Sequence, residues 1–442
     1  MPMVTFDDSL VLAIGAVRSV LPDEPPEHLR FVRDILGVLH VIVPDTVGDE
    51  TLATLQQRLL SELEAYAPGR LSARRVSDTL GGPALLDEAA LVSWVKDFPA
   101  YLIDRRAVGQ DWVLQPHMAT DEARVPRLVF YSLKGGVGRS TALALWARHR
   151  ALRGGTVLVV DLDLEAPGLG AQLLSPERLP AYGVTDWLAQ DLVAPETAAL
   201  IDRMCAESPL ADAGLLVVPA FGTSTDRHPD QLMAKLARAY LEKDTQEGTQ
   251  GFAQRLSQLL QALEGRYQPD LILIDSRAGL HETVAANLLH LGAEVLCFAV
   301  DTPATWQGYR YLFGHLKQLA RSSRSHRSSG APSGDLRWRE HFKMVNARAG
   351  REIEPAFIGR SFELWTDTLY DAIGAADEET AFSFDLNDDA APHFPLTITR
   401  DNQFERLDLM RDVDQFSAGA IETVFGSLFS ALDEQVEVLR EG

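Results

Sequence analysis

The chain has 442 residues, of which 46% are hydrophobic, enough for one large α/β domain and at least one smaller unit. Its 63 acidic and 41 basic residues give a formal net charge of -22, which repels nucleic acid at long range and argues against a general DNA-coating role. The two cysteines, Cys205 and Cys297, have no paired metal spacing, so the composition supports neither a disulfide framework nor a zinc site.

The composition of residues 1–8 and the length of the apolar runs indicate where the protein is located. Residues 1–8 include acidic side chains and lack the basic segment and apolar core of a signal peptide. No run of about 18 uninterrupted apolar residues marks a membrane span. We therefore expect a cytoplasmic protein without stable membrane association.

The segment before residue 123 has a pattern of its own. It contains a strand-like run at 38–43 and an amphipathic helix at 50–66. We predict a small α/β or α+β accessory domain over residues 1–122. Its sequence has no pattern of residues typical of a catalytic site. We assign it to partner recognition only because it precedes the nucleotide-binding segment.

A glycine-rich segment, KGGVGRST, occupies residues 134–141 between an apolar run at 128–131 and a helix-like segment at 141–152. Glycines let the backbone turn so that successive N–H groups face phosphate oxygens, and the following helix N-terminus adds positive potential. This context predicts a nucleotide-binding loop, with a ligand-free turn as the alternative. The predicted contact residues are Gly135, Gly136, Val137, Gly138, Arg139, Ser140 and Thr141.

This loop resembles the deviant Walker A motif of the MinD/ParA family of dimeric P-loop ATPases, usually KGGxGK[ST], over roughly residues 125–400. Arg139 occupies the position of the motif's second lysine, as in the arginine-variant branch of the family found in bacterial multi-gene systems. The resemblance implies a doubly wound, mostly parallel α/β domain that binds ATP and Mg2+, with Lys134 reaching the partner's nucleotide in a homodimer. A planar guanidinium replaces a compact ammonium at Arg139, so whether ATP is hydrolysed to ADP and phosphate stays open.

A strand predicted at 156–160 ends in the sequence DLDLEAPG, residues 161–168. Open α/β sheets place ligand-binding residues at the carboxyl ends of strands, so Asp161 and Asp163 are predicted to face the loop and its magnesium. In the family this DxD resembles switch I, which implies that Asp163 orients the attacking water. Two solvated residues of a strand-end turn are the alternative.

The segment DLILIDSRAG, residues 270–279, is an apolar strand with a carboxylate at its end. It resembles the family's Walker B and switch II, usually DSPAG, with Arg277 in place of proline. The resemblance implies that Asp275 holds magnesium through a water, beside the Ser140 hydroxyl. It also implies that the N–H of Gly279 senses the γ-phosphate.

Two further core strands are predicted at 294–300 and 341–348. Asn346, on the second, matches the family's adenine-reading asparagine, and a turn-capping amide is the alternative. These elements complete a predicted ATPase domain over residues 123–415.

Several segments around this core have distinct compositions. Helical spacing predicts an insertion at 223–266, with helices at 229–243 and 251–265. Mobile loops are predicted at 321–336 and 371–393. The first is basic and rich in serine and glycine, which favours a solvated linker, and the second is acidic. An amphipathic helix is predicted at 416–442, docked on the core or binding a protein, because its acidic face disfavours anionic lipid.

Together these patterns predict a magnesium-dependent, ATP-driven dimerisation switch with slow hydrolysis that controls an unidentified partner or effector protein. The catalytic residues would be Lys134, Arg139 and Asp163, and the magnesium residues Ser140, Asp161 and Asp275. Resemblance to relatives with the variant loop suggests a bacterial signalling or conflict system, including phage defence. Two alternatives stay open: a non-hydrolysing nucleotide-binding scaffold or sensor, and a ParA-like DNA-positioning ATPase that uses Arg324 and Arg327.

Overall fold

Contacts within the computed structural model divide the chain into two compact units. The first comprises Met1–Pro116 and His315–Leu336, and the second comprises His117–Gly314 and Arg337–Gly442. The structure describes residues 3–88, 90–95, 97–116, 125–194, 198–211, 213–246, 248–328, 336–350, 354–371, 381–404, 407–412 and 416–441.

The first unit is built on a five-stranded sheet with the order β3-β2-β1-β5-β4. Its strands are β1 (Arg30–Arg33), β2 (Leu39–Val43), β3 (Ala73–Arg75), β4 (Leu91–Val95) and β5 (Phe98–Asp104). Its helices are α1 (Phe6–Val20), α2 (Asp49–Leu63) and α3 (Ala84–Asp87). The strand predicted at 38–43 and the helix predicted at 50–66 are therefore present as β2 and α2.

The apolar stripes of α1 and α2 explain how this first sheet is covered. Ile14 and Val17 of α1 and Leu55 and Leu59 of α2 are buried in one core with Phe31 of β1. Burial of several such side chains is the main stabilising contribution available to a unit of this size.

The second unit contains an eight-stranded sheet with the order β15-β14-β13-β6-β12-β7-β9-β8. Its strands are β6 (Arg127–Ser132), β7 (Val157–Leu162), β8 (Ala206–Glu207), β9 (Leu215–Val218), β12 (Leu271–Ser276), β13 (Glu294–Ala299), β14 (Phe342–Ala349) and β15 (Leu396–Thr399). All neighbours run parallel except β8, which is antiparallel to β9. A separate hairpin is formed by β10 (Lys243–Thr245) and β11 (Gly248–Gln250).

The connections between these strands are mostly helical. The helices are α4 (Arg139–Leu152), α5 (Leu169–Leu173), α6 (Val184–Asp191), α7 (Ala198–Ile201), α8 (Thr223–Arg227), α9 (Leu232–Ala239), α10 (Phe252–Tyr267), α11 (Glu282–Leu289), α12 (Pro303–Ser328), α13 (Pro355–Thr368), α14 (Leu409–Asp412) and α15 (Ala418–Glu441). Single 3-10 turns occur at Pro26–His28, Glu64–Tyr66, Gly69–Leu71, Val76–Asp78, Gln110–Trp112, Pro176–Arg178, Pro229–Gln231 and Arg337–His341.

The predicted doubly wound α/β fold is confirmed by the strand order and by the burial of the central strands. Every residue of β6, β7, β12 and β13 is buried, as expected for parallel strands covered on both faces. Because β6 pairs with β12 and β12 pairs with β7, the loops that follow these three strands meet at one edge of the sheet.

The C-terminal helix α15 is part of this core, as the docked-helix prediction required. Its apolar stripe, which includes Phe425, Leu428 and Leu432, is buried in the same cluster as the central strands. On the adjoining face, the indole N–H of Trp146 in α4 donates to Asp433 at 3.1 Å.

The predicted loop at 321–336 is wrong for its first part, because α12 continues to Ser328. The serines that suggested a linker are compatible with the helix, since the hydroxyls of Ser322 and Ser323 donate to the carbonyls of Gln318 and Leu319. His315–Leu336 also groups with the first unit rather than with the predicted ATPase domain. Residues 329–335 lie outside the described part of the chain.

Two other sequence predictions need correction. The helix predicted at 229–243 ends at Ala239 and is followed by the β10–β11 hairpin. In the acidic segment, residues 372–380 lie outside the described residues, whereas residues 381–393 are irregular, with a largely exposed middle and a buried end at 391–393. There the ring of buried His393 lies 2.6 Å from the hydroxyl of Tyr370, so this part is held by side-chain contacts.

No helix in the described ranges is long and apolar enough to cross a membrane.

The docking of α15 predicts a large difference between two apolar positions on that helix. Leu428 is fully buried, whereas Val438 is 69% exposed. Leu428→Ala should lower the free energy of unfolding of the second unit by about 2–5 kcal/mol, since it removes buried methyl groups and leaves a cavity. Val438→Ala should change it by about 0.5 kcal/mol or less. Denaturant unfolding followed by tryptophan fluorescence measures both, and equal effects would contradict the docking.

Candidate nucleotide-binding site

The glycine-rich loop connects β6 to α4, as predicted. Gly136 and Gly138 have φ angles of 73° and 90°, in the left-handed region that residues with a Cβ rarely adopt. Gly138 is the N-cap of α4, and its carbonyl accepts the first helical hydrogen bond, from the Ala142 N–H at 3.0 Å. The loop therefore needs these glycines for its backbone path, and it leads directly into a helix N-terminus.

Arg139, the first residue of α4, turns inward to the carboxylates at the ends of the neighbouring strands. Its Nε donates to Asp275 Oδ1 at 2.7 Å, and its Nη2 lies 3.4 Å from Asp163 Oδ2. Its Nη1 donates to the Ser132 hydroxyl at 3.3 Å. Only 8% of Arg139 is exposed, so the guanidinium is a buried cation inside an acidic cluster.

Asp275 is the centre of this cluster. It is the penultimate residue of β12, it is 2% exposed, and its Oδ2 accepts the Ser140 hydroxyl at 2.6 Å. The structure thus brings into direct contact two of the three residues predicted to hold magnesium, Ser140 and Asp275.

Asp161 lies beneath the cluster and is fully buried. Its Oδ1 accepts the N–H of Asp163 at 3.1 Å, and its Oδ2 accepts the N–H of Leu169 at 3.3 Å. Burial and the nearby Asp275 raise the pKa of Asp161 to about 8, against the opposing effect of the two N–H donors. The two N–H contacts show that its carboxyl group supports the loop that carries Asp163.

The pKa values of the other two members reflect the same competition between burial and charge. Burial raises the pKa of Asp163, and the negative charge of Asp275 adds to this, against the lowering effect of Arg139. Burial would lower the pKa of Arg139, but Asp275 and Asp163 together raise it above its ordinary value. Arg139 therefore stays charged, and it compensates Asp275 more fully than Asp163.

Lys134, at the start of the loop, has an exposed side chain that forms no ion pair with any residue in the described ranges. Its carbonyl accepts the Ser132 hydroxyl at 3.0 Å, which fixes the backbone while the ammonium faces outward. This placement differs from that of Arg139, although both were predicted to be catalytic residues.

A cavity of about 150 Å³ lies beside the loop. Residues Gly136, Val137, Gly138 and Thr141 line one side, and the ends of β14 and β15 with α15 line the other. Arg348 lies at its edge and donates from Nη2 to the carbonyl of Gly136 at 2.9 Å. Arg348 was not predicted from the sequence, although its position near a strand's carboxyl end was an available signal.

Two other predicted ligand contacts are engaged within the protein. Asn346 is buried, does not line the cavity, and accepts the Arg348 N–H at 3.4 Å within β14. Its reading of adenine stays a prediction. The N–H of Gly279 donates to the Ser132 carbonyl at 3.0 Å. A role of either group toward a nucleotide would require the chain to rearrange.

No family model matches the chain, and no curated protein matches it. Similar solved structures include pNOB8 ParA bound to nonspecific DNA, at 15% identity over 72% of this chain and 98% of that one, with a TM-score of 0.40. A ParA family ATPase from Chlorobium tepidum TLS is 15% identical over 69% of this chain and 99% of that one, with a TM-score of 0.38. An ATP complex of Cyanothece McdA is 14% identical over 69% of this chain and 96% of that one, also with a TM-score of 0.38. At such identities and TM-scores the likeness carries no information on activity.

The raised pKa of Asp161 predicts a pH dependence of stability. Between its ordinary value of 3.8 and about 8, the folded protein binds more protons at this site than the unfolded chain does. Stability should therefore fall as pH rises through this interval, and this contribution should be fully lost above about pH 8.

Asp161→Asn removes that titration. The free energy of unfolding of the wild type, relative to this variant, should decrease from pH 5 to pH 8 in denaturant titrations. The exposed Asp226→Asn serves as the control and should parallel the wild type. Parallel curves for Asp161→Asn would show that the buried carboxyl does not titrate in this range.

Proposed function

We propose that the second unit is a magnesium-dependent, ATP-driven dimerisation switch that hydrolyses ATP slowly and acts on a partner or effector protein. The observation that carries the proposal is the 2.6 Å bond between the hydroxyl of Ser140, in the glycine loop, and the Asp275 carboxylate. It joins the first turn of α4 to the carboxyl-terminal part of β12, beside Asp163, which directly follows β7. Fold and position together favour a phosphoryl-binding site of the P-loop type.

The phosphates would lie against the loop N–H groups and the N-terminus of α4, where partial positive charge accumulates. Arg139 would offset phosphate charge from inside the site, and Lys134 would offset the phosphate charge of the nucleotide in the second copy of a homodimer. The cavity between the loop and the ends of β14 and β15 is the space available for the base. In this proposal the Arg348–Gly136 bond stabilises the loop at the edge of that cavity.

The residues at the site fit magnesium. Ser140 and Asp275 offer hard oxygen atoms next to the phosphate loop, and Mg2+ favours such ligands while retaining several waters. When bound, the ion would neutralise charge on the β- and γ-phosphates. Ser140 would hold it directly and Asp275 through a water, whereas both oxygens of Asp161 already accept backbone N–H groups.

Arg139 must change partners for this arrangement to form. Its guanidinium now occupies Asp275 Oδ1, so it would release Asp275 and turn toward the phosphates. Asp163, whose pKa is raised by burial, would then be free to accept a hydrogen bond from the attacking water. The need to break a buried ion pair is a physical reason for slow turnover.

Lys134 provides the test of dimerisation. Mass in solution should double with a non-hydrolysable ATP analogue and Mg2+, and stay unchanged with ADP or without nucleotide. Lys134→Ala should stay monomeric with the analogue while its nucleotide affinity changes by less than about threefold, because Lys134 acts on the partner's nucleotide. Arg411→Ala, which removes a cation that is 83% exposed, is the control and should dimerise. Tight binding by a wild type that never dimerises would favour the scaffold or sensor alternative.

Asp163 provides the test of hydrolysis. Asp163→Asn should lower phosphate release by about 100-fold or more, because loss of a positioned proton acceptor typically costs that much. Nucleotide affinity should stay within about threefold of the wild type. The exposed Asp226→Asn should release phosphate at the normal rate. A normal rate in Asp163→Asn would remove this residue from the catalytic role.

The wider setting of the switch rests on sequence resemblance, which favours an effector in a bacterial signalling or conflict system, such as phage defence. The DNA-positioning alternative is not part of the proposal. The side chains of Arg324 and Arg327 lie outside the described residues, and the net charge of -22 opposes DNA binding at long range. DNA binding in the pNOB8 ParA structure is a property of that protein.

A further inference from the structure

Glu165 joins three segments of the second unit. It lies two residues after Asp163, and its carboxylate forms an ion pair with Nη1 of Arg277, in the loop after β12. Its Oε1 also accepts the Tyr240 hydroxyl at 3.1 Å and lies 3.2 Å from His281 Nε2. Tyr240 follows α9, so the contact also reaches the insertion between the two loops.

Arg277 is the position at which this chain replaces the proline of the family pattern. A proline would stiffen the loop through its ring, but it could not bond to a neighbouring loop. Arg277 lacks the stiffening ring of proline, but it forms an ion pair with Glu165 in the neighbouring loop. The side chains of Glu165 and Arg277 are 31% and 27% exposed, so the pair is partly protected from water.

Aromatic packing supports the same contact. The Tyr240 ring lies edge-on to the His281 ring, with centroids 6.0 Å apart, and edge-on to Phe252 of α10, at 5.6 Å. Partial burial would raise the pKa of Glu165, but Arg277 and His281 lower it below its ordinary value. Glu165 is therefore a carboxylate held by donors from two other segments.

We infer that Glu165 is a positioning residue: through Arg277 it couples the loop carrying Asp163 to the loop following Asp275, so that the two loops move together. The role of Glu165 in catalysis rests on the proposed function, in which Asp163 orients the attacking water. Asp163 would do so only when the loop following Asp275 holds the loop carrying Asp163 in place. The coupling itself is a property of the nucleotide-free protein and can be measured without any ATP turnover.

Amide hydrogen exchange in the nucleotide-free protein tests the coupling directly. Arg277→Ala should speed exchange in a peptide covering residues 161–170 by about fivefold, because loss of a partly buried pair makes local opening easier by about 1 kcal/mol. Glu165→Ala should have the reciprocal effect on residues 276–283. Arg277→Lys keeps the charge and should stay within about twofold of the wild type.

Two controls distinguish the effect of losing the Glu165–Arg277 ion pair from a general increase in amide exchange across the second unit. Arg266→Ala breaks an exposed ion pair with Asp202 in the same unit and should leave both peptides unchanged. The double variant Glu165→Ala/Arg277→Ala should exchange no faster than the faster single variant, since both changes remove one interaction. Unchanged exchange at 161–170 in Arg277→Ala, or additive effects in the double variant, would overturn the coupling.

A kinetic experiment connects the coupling to the proposed reaction. Arg277→Ala should lower kcat for phosphate release by about tenfold while KM stays within about threefold, because Glu165 and Arg277 position Asp163 without touching the nucleotide. Arg277→Lys should recover most of the rate. If the wild type releases no phosphate, the proposed hydrolysis fails, and the exchange experiment still decides the coupling. Normal kcat in Arg277→Ala would show that the coupling does not position Asp163.

Discussion

The ion pair between Arg139 and Asp275 is the interaction on which the rest of the site depends. The parallel order β6-β12-β7 brings the ends of β7 and β12 together, and with them the carboxyl groups of Asp161, Asp163 and Asp275. Burying carboxylates close together is costly unless a cation or several N–H donors compensate them. Asp161 is compensated by backbone N–H groups, and Asp275 by Arg139 and Ser140.

A guanidinium suits this position for a geometric reason. Its planar array of donors reaches Asp275, Asp163 and the Ser132 hydroxyl from one side chain, which an ammonium at the end of a flexible stem does less readily. The same contacts would make the arginine harder to redirect toward phosphate. In the proposed switch, nucleotide and metal binding are therefore linked to a change of partner at Arg139, and the energy of the buried pair opposes the bound state.

The parts of the molecule that were predicted from sequence are those fixed by local patterns. The loop at 134–141 was found because its glycines stand between an apolar run and a helix, and the buried strands because their residues are apolar throughout. The inward turn of Arg139 and the bonds of Asp161 to its own loop depend on which strands become neighbours, which no local pattern specifies. The Glu165–Arg277 and Arg348–Gly136 contacts were missed for the same reason. The serines of α12 were misread because serine favours loops on average, whereas here its hydroxyls bond within a helix.

The two departures from the family motifs, Arg139 and Arg277, have related physical consequences. Each places a guanidinium against a carboxylate of the same edge of the sheet, Arg139 with Asp275 and Arg277 with Glu165. Both cations are thus used inside the unit before any ligand binds. Within the described ranges Lys134 has no such ion pair, and it faces outward from the loop. In the proposed switch, the charge most available to an arriving phosphate group, or to the nucleotide of a second copy, would therefore be that of Lys134, and Arg139 would become available only after its own pair separates.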